Sequence, residues 1–183
     1  MKRNKKKTEE VGVRRRCLHA PWRLDYILGP KESACFFCTA AQLPKREEIL
    51  WREKLLLARN RHVLVVMNRY PYTGGHLLVA PLKHTADYAG LSTQTSQAIW
   101  RASQICVSIL AKRMKPDGFN VGMNLGRAAG AGVEDHLHLH VLPRWSGDTN
   151  FLPIIGGTHS LPIALEKLWD VLRHDFQNRF ANL

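Results

Sequence analysis

A chain of 183 residues with 45% apolar content is enough for one globular core, with or without appendages. No run comes near the roughly 18 uninterrupted apolar residues of a transmembrane helix, and no apolar stretch follows the basic start as it would in a secretory signal, so a cytoplasmic protein outside the membrane is expected. The net charge of +12 leaves anionic partners open and has to be divided along the sequence.

Half of that excess lies in residues 1–16, where Lys2, Arg3, Lys5, Lys6, Lys7, Arg14, Arg15 and Arg16 stand against Glu9 and Glu10. A like-charge block without apolar periodicity reads as a disordered tail, 1–18, with attraction to nucleic acid or polyphosphate as its functional option. The rest of the excess sits on one domain, 19–183, and fits an anionic substrate. That domain opens with Ala20-Pro21-Trp22-Arg23-Leu24-Asp25-Tyr26-Ile27, an ordered arm or short helix that docks on it, broken by Gly29-Pro30. The knuckle Cys35-Phe36-Phe37-Cys38 follows, then a polar helical turn around residues 39–50. In a cytoplasmic protein the C-x-x-C pattern points to metal or redox chemistry rather than to a structural disulfide, whereas Cys17 and Cys106 stand alone.

Lys54–Ala58 and His62–Asn68 read as two strands joined by a turn at Asn60-Arg61. Tyr70–Gly75 is a loop, and His76–Leu82 is a third strand, closed by Pro81 and followed by Lys83-His84. Leu91–Lys115 is the main helix, with Ile99, Ala102, Cys106, Ile109, Leu110 and Arg113 at helical spacing, Ser92 as N-cap and Pro116-Asp117-Gly118 as its stop. In a fourth strand, Gly118–Leu125, Phe119, Val121, Met123 and Leu125 are expected on a core face, with Asn120, Gly122 and Asn124 on a face where a ligand can approach the backbone. A Gly/Ala loop, 126–133, leads to a fifth strand, His136-Leu137-His138-Leu139-His140-Val141-Leu142, ended by Pro143. Residues 144–160 are irregular, and Leu161–Asn178 is a C-terminal helix with Leu165, Leu168, Trp169 and Leu172 on one side. The class is α+β: a five-stranded antiparallel sheet with one main helix and one C-terminal helix.

The fifth strand carries the chemistry. Period-two alternation puts three of the nine histidines on one face, which is wet or holds a ligand, and Leu137, Leu139 and Val141 on the other. Imidazoles serve as nucleophile, proton carrier or metal ligand near neutrality. Three histidines at alternate positions could also chelate a catalytic metal. A non-enzymatic nucleotide or RNA sensor using the basic tail is a further class.

Histidine, apolar, histidine, apolar, histidine, apolar, apolar resembles the signature of the histidine triad (HIT) family. Asn68-Arg69-Tyr70-Pro71-Tyr72, Gly75–Pro81, Gly118–Gly126 and Pro143–Phe151 resemble its bacterial branch of diadenosine tetraphosphate phosphorylases, also called ATP adenylyltransferases. The resemblance covers about residues 20–175 and implies an antiparallel HIT-like fold, a homodimer and nucleotidyl transfer at an α-phosphate of an adenine dinucleoside polyphosphate. It makes His138 the nucleophile and His140 a phosphate-contacting histidine. His76 matches the fourth histidine of the catalytic cluster, which His136 completes. Asn124 would bind phosphate or the bridging oxygen, and Asn68 the ribose hydroxyls. The sequence departs from the pattern at Ala128–Val133, which lacks the hydroxyl or amide side chain often found there; Gly130 and Gly132 can offer only backbone N–H groups to an anion.

The chemistry asks for a neutral His138 with one nitrogen held by an acceptor, expected to be a carbonyl on a neighbouring strand. A structural zinc is expected on Cys35, Cys38, His84 and His136. The C-x-x-C pair supplies two thiolates of a tetrahedron, and related proteins such as galactose-1-phosphate uridylyltransferases resemble this arrangement. The intermediate can be resolved by water or by inorganic phosphate. A phosphorylase needs a second anion site, for which Gly130, Gly132, Arg127 and Arg144 are available, and the Pro-Arg-Trp-x-Gly-Asp-x-Asn-Phe run resembles the phosphorylase branch.

Overall fold

The computed structural model describes residues 34–45, 47–148 and 164–180. The expected tail 1–18, the arm at 20–27 and most of the irregular segment after Asp148 lie outside the described residues. Two short helices, α1 (Phe36–Gln42) and α2 (Glu48–Glu53), precede strands β1 (Leu56–Arg59), β2 (Val63–Met67) and β3 (Leu77–Pro81). The long helix α3 (Thr93–Met114), strands β4 (Gly118–Met123) and β5 (Leu139–Arg144), and helix α4 (Leu165–Phe180) complete the fold. All pairs are antiparallel in a five-stranded sheet of order β1-β2-β3-β5-β4, as expected for the α+β class.

Buried along their whole length, β2 and β3 read as continuous apolar runs for that reason. Helix α3 packs across β2, β3 and β5, and α4 lies against β1 and α3. Ser92 caps α3 by accepting a hydrogen bond from the Thr95 backbone N–H, and Lys115 closes it in the left-handed region. The buried stripe of α3 is Ala98, Ile99, Ala102, Ser103, Cys106, Ile109 and Leu110. Arg113 stands at its edge, bonded to Asp175 of α4. Helix α4 buries Leu168, Trp169 and Leu172, and also Phe176 and Phe180 near its end.

Several local expectations are corrected. The polar turn at 39–50 is two helices, α1 and α2, linked by Leu43–Glu47. The first strand begins at Leu56, because α2 ends in Lys54 and Leu55, the latter at φ +55°. Strand β4 lies at the sheet edge and stops at Met123; of its expected core face, Phe119 and Met123 pack against the core while Val121 and Leu125 are 41% and 48% exposed. Pro143 does not end the ladder, since Phe119 and Gly118 still pair with Pro143 and Arg144. The Pro143 carbonyl takes the Thr73 hydroxyl on the β3 side, and a strand residue points its N and O the same way. The missing N–H therefore faces a loop and costs no bond to β4.

The histidine run itself straddles the ladder's end. Only His140 lies in β5; His136, at a bend, and His138 precede the strand. There the Leu137 N–H bonds to the Thr85 carbonyl, past the end of β3.

Candidate active site

The three triad imidazoles are buried rather than on a wet face: His136, His138 and His140 are 0%, 5% and 9% exposed. Each is held by a different partner, and the partners fix which nitrogen carries the proton.

His136 donates from Nε2 to the Pro81 carbonyl at 2.8 Å, so its Nδ1 carries a lone pair. That lone pair faces Cys35 Sγ at 3.3 Å, Cys38 Sγ at 3.7 Å and His84 Nδ1 at 3.2 Å. Cys38 Sγ is in turn 3.3 Å from His84 Nδ1, and all four donor atoms lie within 4.8 Å of one another. A zinc tetrahedron with Zn–S about 2.3 Å and Zn–N about 2.0 Å needs N···N near 3.3 Å and N···S near 3.5 Å. These four residues fit it. No other cluster of three or more such donors occurs among the described residues. Burial and the neighbouring Cys35 thiol push the Cys38 thiol up, so a thiolate there calls for a compensating cation. A chelate of the three triad histidines is not formed, because the three imidazoles are turned to different partners.

His138 donates from Nδ1 to the His136 carbonyl at 2.8 Å, which leaves the Nε2 lone pair free to react. The acceptor is two residues back in the same segment, not on a neighbouring strand. Residues 136–138 lie off the ladder, so the carbonyl of His136 is available to a side chain. Burial pushes His138 below the ordinary imidazole range and keeps it neutral, while the carbonyl pulls the other way. Its ring lies between Phe37, at 5.2 Å and 33°, and His140, at 5.0 Å and 62°.

At the other end, the Tyr72 backbone N–H and the Asn68 side-chain amide both reach His76 Nδ1, at 3.2 and 3.1 Å. His76 Nδ1 is therefore the acceptor, and Nε2–H donates to His140 Nδ1 at 2.9 Å. His140 is left with its proton on Nε2, a buried donor with no hydrogen-bond partner among the described residues. Burial, with the adjacent histidines adding to it, lowers His76 to about 3 and His140 to about 4, so both stay neutral at physiological pH. Tyr72 stacks on His140 at 6.1 Å and 16°. Gly75 delivers His76 from the loop at φ +82°, where a Cβ would meet Met114 Sδ at 2.7 Å.

The loop before the triad departs from expectation. The Gly130 N–H closes a turn on the Arg127 carbonyl at 2.9 Å and is not available to an anion. Asn124 lies beside this loop, its Nδ2 at 3.5 Å from the Gly130 carbonyl. Arg144 is clamped by Asp148 at 2.6 and 2.8 Å and by Asn120 at 2.8 Å, so its charge is already paired. Arg127 is 89% exposed, with Glu134 at 3.8 Å. Asn68 spends one amide hydrogen on His76 and accepts the Tyr70 N–H on Oδ1. Sequence reasoning missed Phe37 and Tyr72, because their ring contacts join distant segments and leave no periodic signal.

Residues 52–147 match the HIT domain. The chain is 36% identical over 151 residues to an AP-4-A phosphorylase of Mycobacterium tuberculosis, covering 79% of this chain and 76% of that one. It is 30% identical over 88 residues to a bis(5'-adenosyl)-triphosphatase of Saccharomyces cerevisiae, covering 48% of this chain and 42% of the other. A Zn-bound histidine triad family protein from Mycobacterium smegmatis shares the fold at TM-score 0.61 and 24% identity, over 82% of this chain and 98% of its own. With a buried, proton-ordered set of triad imidazoles and a domain match over more than half its length, the chain belongs to the HIT family.

Proposed function

We propose that the protein is a nucleotidyl transferase acting at the α-phosphate of dinucleoside polyphosphates through a nucleotidyl-His138 intermediate. The observation that carries this reading is the pairing of a neutral His138, its Nε2 lone pair free, with the orphaned buried Nε2–H of His140 beside it. The first is a nucleophile that an anionic phosphate does not repel, and the second is a fixed donor for a phosphoryl oxygen. His138 Nε2 bonds to the α-phosphorus as the bond to the leaving polyphosphate oxygen breaks. The positive charge that develops on the ring is spread through Nδ1–H to the His136 carbonyl. ATP leaves as an anion that needs no proton at the moment of departure, which suits a loop without an acidic side chain. The acceptor then attacks the phosphorus and restores neutral His138.

His76 orients His140, Asn124 binds the phosphates together with the backbone of Gly132, and the second amide hydrogen of Asn68 serves the ribose. Cys35, Cys38, His84 and His136 hold a structural zinc, which fixes the backbone two residues before the nucleophile. A second copy docks along the open edge of β4, where the exposed Val121 and Leu125 supply apolar surface. Light scattering should then give twice the 20.8 kDa mass of one copy.

For the acceptor, the similarity to an AP-4-A phosphorylase over most of both chains supports inorganic phosphate, so diadenosine tetraphosphate would yield ATP and ADP. Water is the second reading: Arg144 is neutralised by Asp148 and the Gly130 N–H is spent, which weakens the expected anion site. Product analysis with and without millimolar phosphate tests both. ADP without AMP supports the phosphorylase; AMP formed at a phosphate-independent rate supports the hydrolase; neither product, with no adenylyl group on His138, rejects the proposal.

A further inference from the structure

The second of the two phenylalanines between the cysteines, Phe37, stands outside every role assigned so far. Phe37 is 1% exposed and belongs to α1, whose N-cap is Cys35 and whose third residue is Cys38. Its ring touches His136 at 5.0 Å and 53°, and His138 at 5.2 Å and 33°. One apolar side chain thus bridges a member of the metal-binding cluster and the proposed nucleophile.

The single hydrogen bond of His138, Nδ1 to the His136 carbonyl, sets its tautomer but leaves the ring free to swing about that bond. The swing is stopped by the rings on either side, Phe37 and His140. His140 is fixed by the β5 ladder and by His76. Phe37 is held by core packing, on an element with few hydrogen bonds of its own. Helix α1 is seven residues long, and the side chain of its N-cap, Cys35, does not bond to the free N–H groups of the first turn. A helix of that length does not hold itself in water. Its C-terminal end is tied by Arg59, which donates to the carbonyls of Ala40, Ala41 and Leu43. Apart from Thr39 bonding back to the Cys35 carbonyl, its N-terminal end has the two thiols as its polar anchor, and they face His84 and His136.

We infer that Phe37 is a positioning residue that couples the metal centre to the nucleophile: the metal staples the C-F-F-C knuckle, the knuckle seats Phe37, and Phe37 sets the plane of the His138 ring. The metal therefore governs transfer through packing. This inference rests on the nucleophilic role proposed for His138, and its test reads the two separately.

The probe is the His138 imidazole in long-range 1H–15N and 1H–13C spectra, assigned by the resonances lost in His138→Asn. In zinc-loaded wild type, ring currents from Phe37 displace the His138 carbon-bound protons. Phe37→Leu should abolish that displacement while metal analysis still gives about one zinc per protein molecule. Chelation of the wild type should move the same resonances in the same direction, and chelation of Phe37→Leu should add little more. With diadenosine tetraphosphate, formation of adenylyl-His138 should slow about 10- to 100-fold in Phe37→Leu, with KM changed less than about 3-fold.

Zinc removal that leaves the His138 resonances in place overturns the coupling, as does failure of the folded protein to take up zinc. A Phe37→Leu transfer rate equal to wild type overturns the positioning role. If Phe37→Leu does not fold, the chelation arm on wild type still decides the coupling, and Phe37→Tyr, which keeps the ring, should retain the displacement. No adenylyl-His138 on wild type would reject the functional reading while the resonance measurements still decide whether Phe37 seats His138.

Discussion

The two ends of the triad are held in opposite ways. His140 lies in the ladder of β5, accepts a hydrogen bond at Nδ1 from His76, and presents Nε2–H to the site. His136 lies off the ladder, donates from Nε2 to Pro81, and presents the Nδ1 lone pair to two thiols and an imidazole. The same residue type four positions away thus carries its proton on the same nitrogen, Nε2, but turns the opposite edge of the ring to its site, one edge suited to grip an anion and the other a cation. His138, between them, borrows from both: its hydrogen bond comes from the His136 side, and one of its flanking rings is His140. On the proposed reading a single alternating stretch supplies a donor, a nucleophile and a metal ligand, because the partner of each ring differs.

The sharpest break is at the centre. His138→Asn keeps the polarity of the position but has no ring nitrogen to attack phosphorus. Turnover should fall at least about 1000-fold, as when a nucleophile is removed, and the nucleotidyl adduct seen by intact mass in quenched wild type should disappear. Turnover at the wild-type rate would place the chemistry elsewhere.

The hydrogen-bonded end is tested by His76→Leu. Without the proton from His76, His140 can carry its own on Nδ1 and turn a lone pair toward the phosphate. Loss of one fixed donor at a reacting centre costs about 100-fold, so kcat should fall by that order, and imidazole 15N shifts should report a mixed tautomer for His140. Zinc content should not change, since His76 touches none of Cys35, Cys38, His84 and His136. A variant that lost zinc as well would show the two ends to be one unit.

The metal-binding end is tested by Cys35→Ser. Structural zinc contributes directly to folding free energy, so this variant should lose most of its bound zinc and at least about 2 kcal/mol of stability by denaturant unfolding. The His76–His140 hydrogen bond should persist, read by the same 15N shifts. Unchanged stability with no metal in either protein would reject the zinc.

The sheet and the main helix were legible because their signals are local. β2 and β3 are unbroken apolar runs, Asn60 makes its turn with its own side chain, and Ser92 caps α3. The candidate metal-ligand set was legible because C-x-x-C marks two thiols and the resemblance to related proteins pointed to His84 and His136, and the fold brings the four donor atoms within 4.8 Å of one another. What sequence could not give is which partner each polar group takes. Gly130 has the open backbone expected of an anion cradle, yet its N–H closes its own turn. Arg144 has the right charge, yet Asp148 four residues on neutralises it. Pro143 reads as a ladder stop only because the side its nitrogen faces is set by the neighbouring strands. The core face expected on β4 is covered at Phe119 and Met123 but open at Val121 and Leu125 for a related reason: alternation tells which residues share a face, and not how far another element covers it.

The smallest effect is on stability against pH, and it reads the hydrogen-bonded end alone. His76 and His140 titrate near 3 and 4 in the folded protein, and near 6.5 once unfolded. Between these values the unfolded state binds protons that the folded state refuses. Stability is therefore complete above about pH 6.5 and falls as the pH drops toward 4, by at most about 1.4 kcal/mol per pH unit for each imidazole. Groups outside the pair, the metal-ligand cluster among them, also bear on the wild-type slope, which by itself does not isolate the pair. The comparison with His76→Leu does, because the cluster is common to both. Denaturant midpoints measured from pH 7 to pH 5 should fall less steeply in His76→Leu than in wild type, by up to one proton's worth of slope. Parallel slopes would mean that His76 is protonated in the folded protein, in which case Nδ1 could not accept from Tyr72 and the proton order assigned to His140 would be wrong.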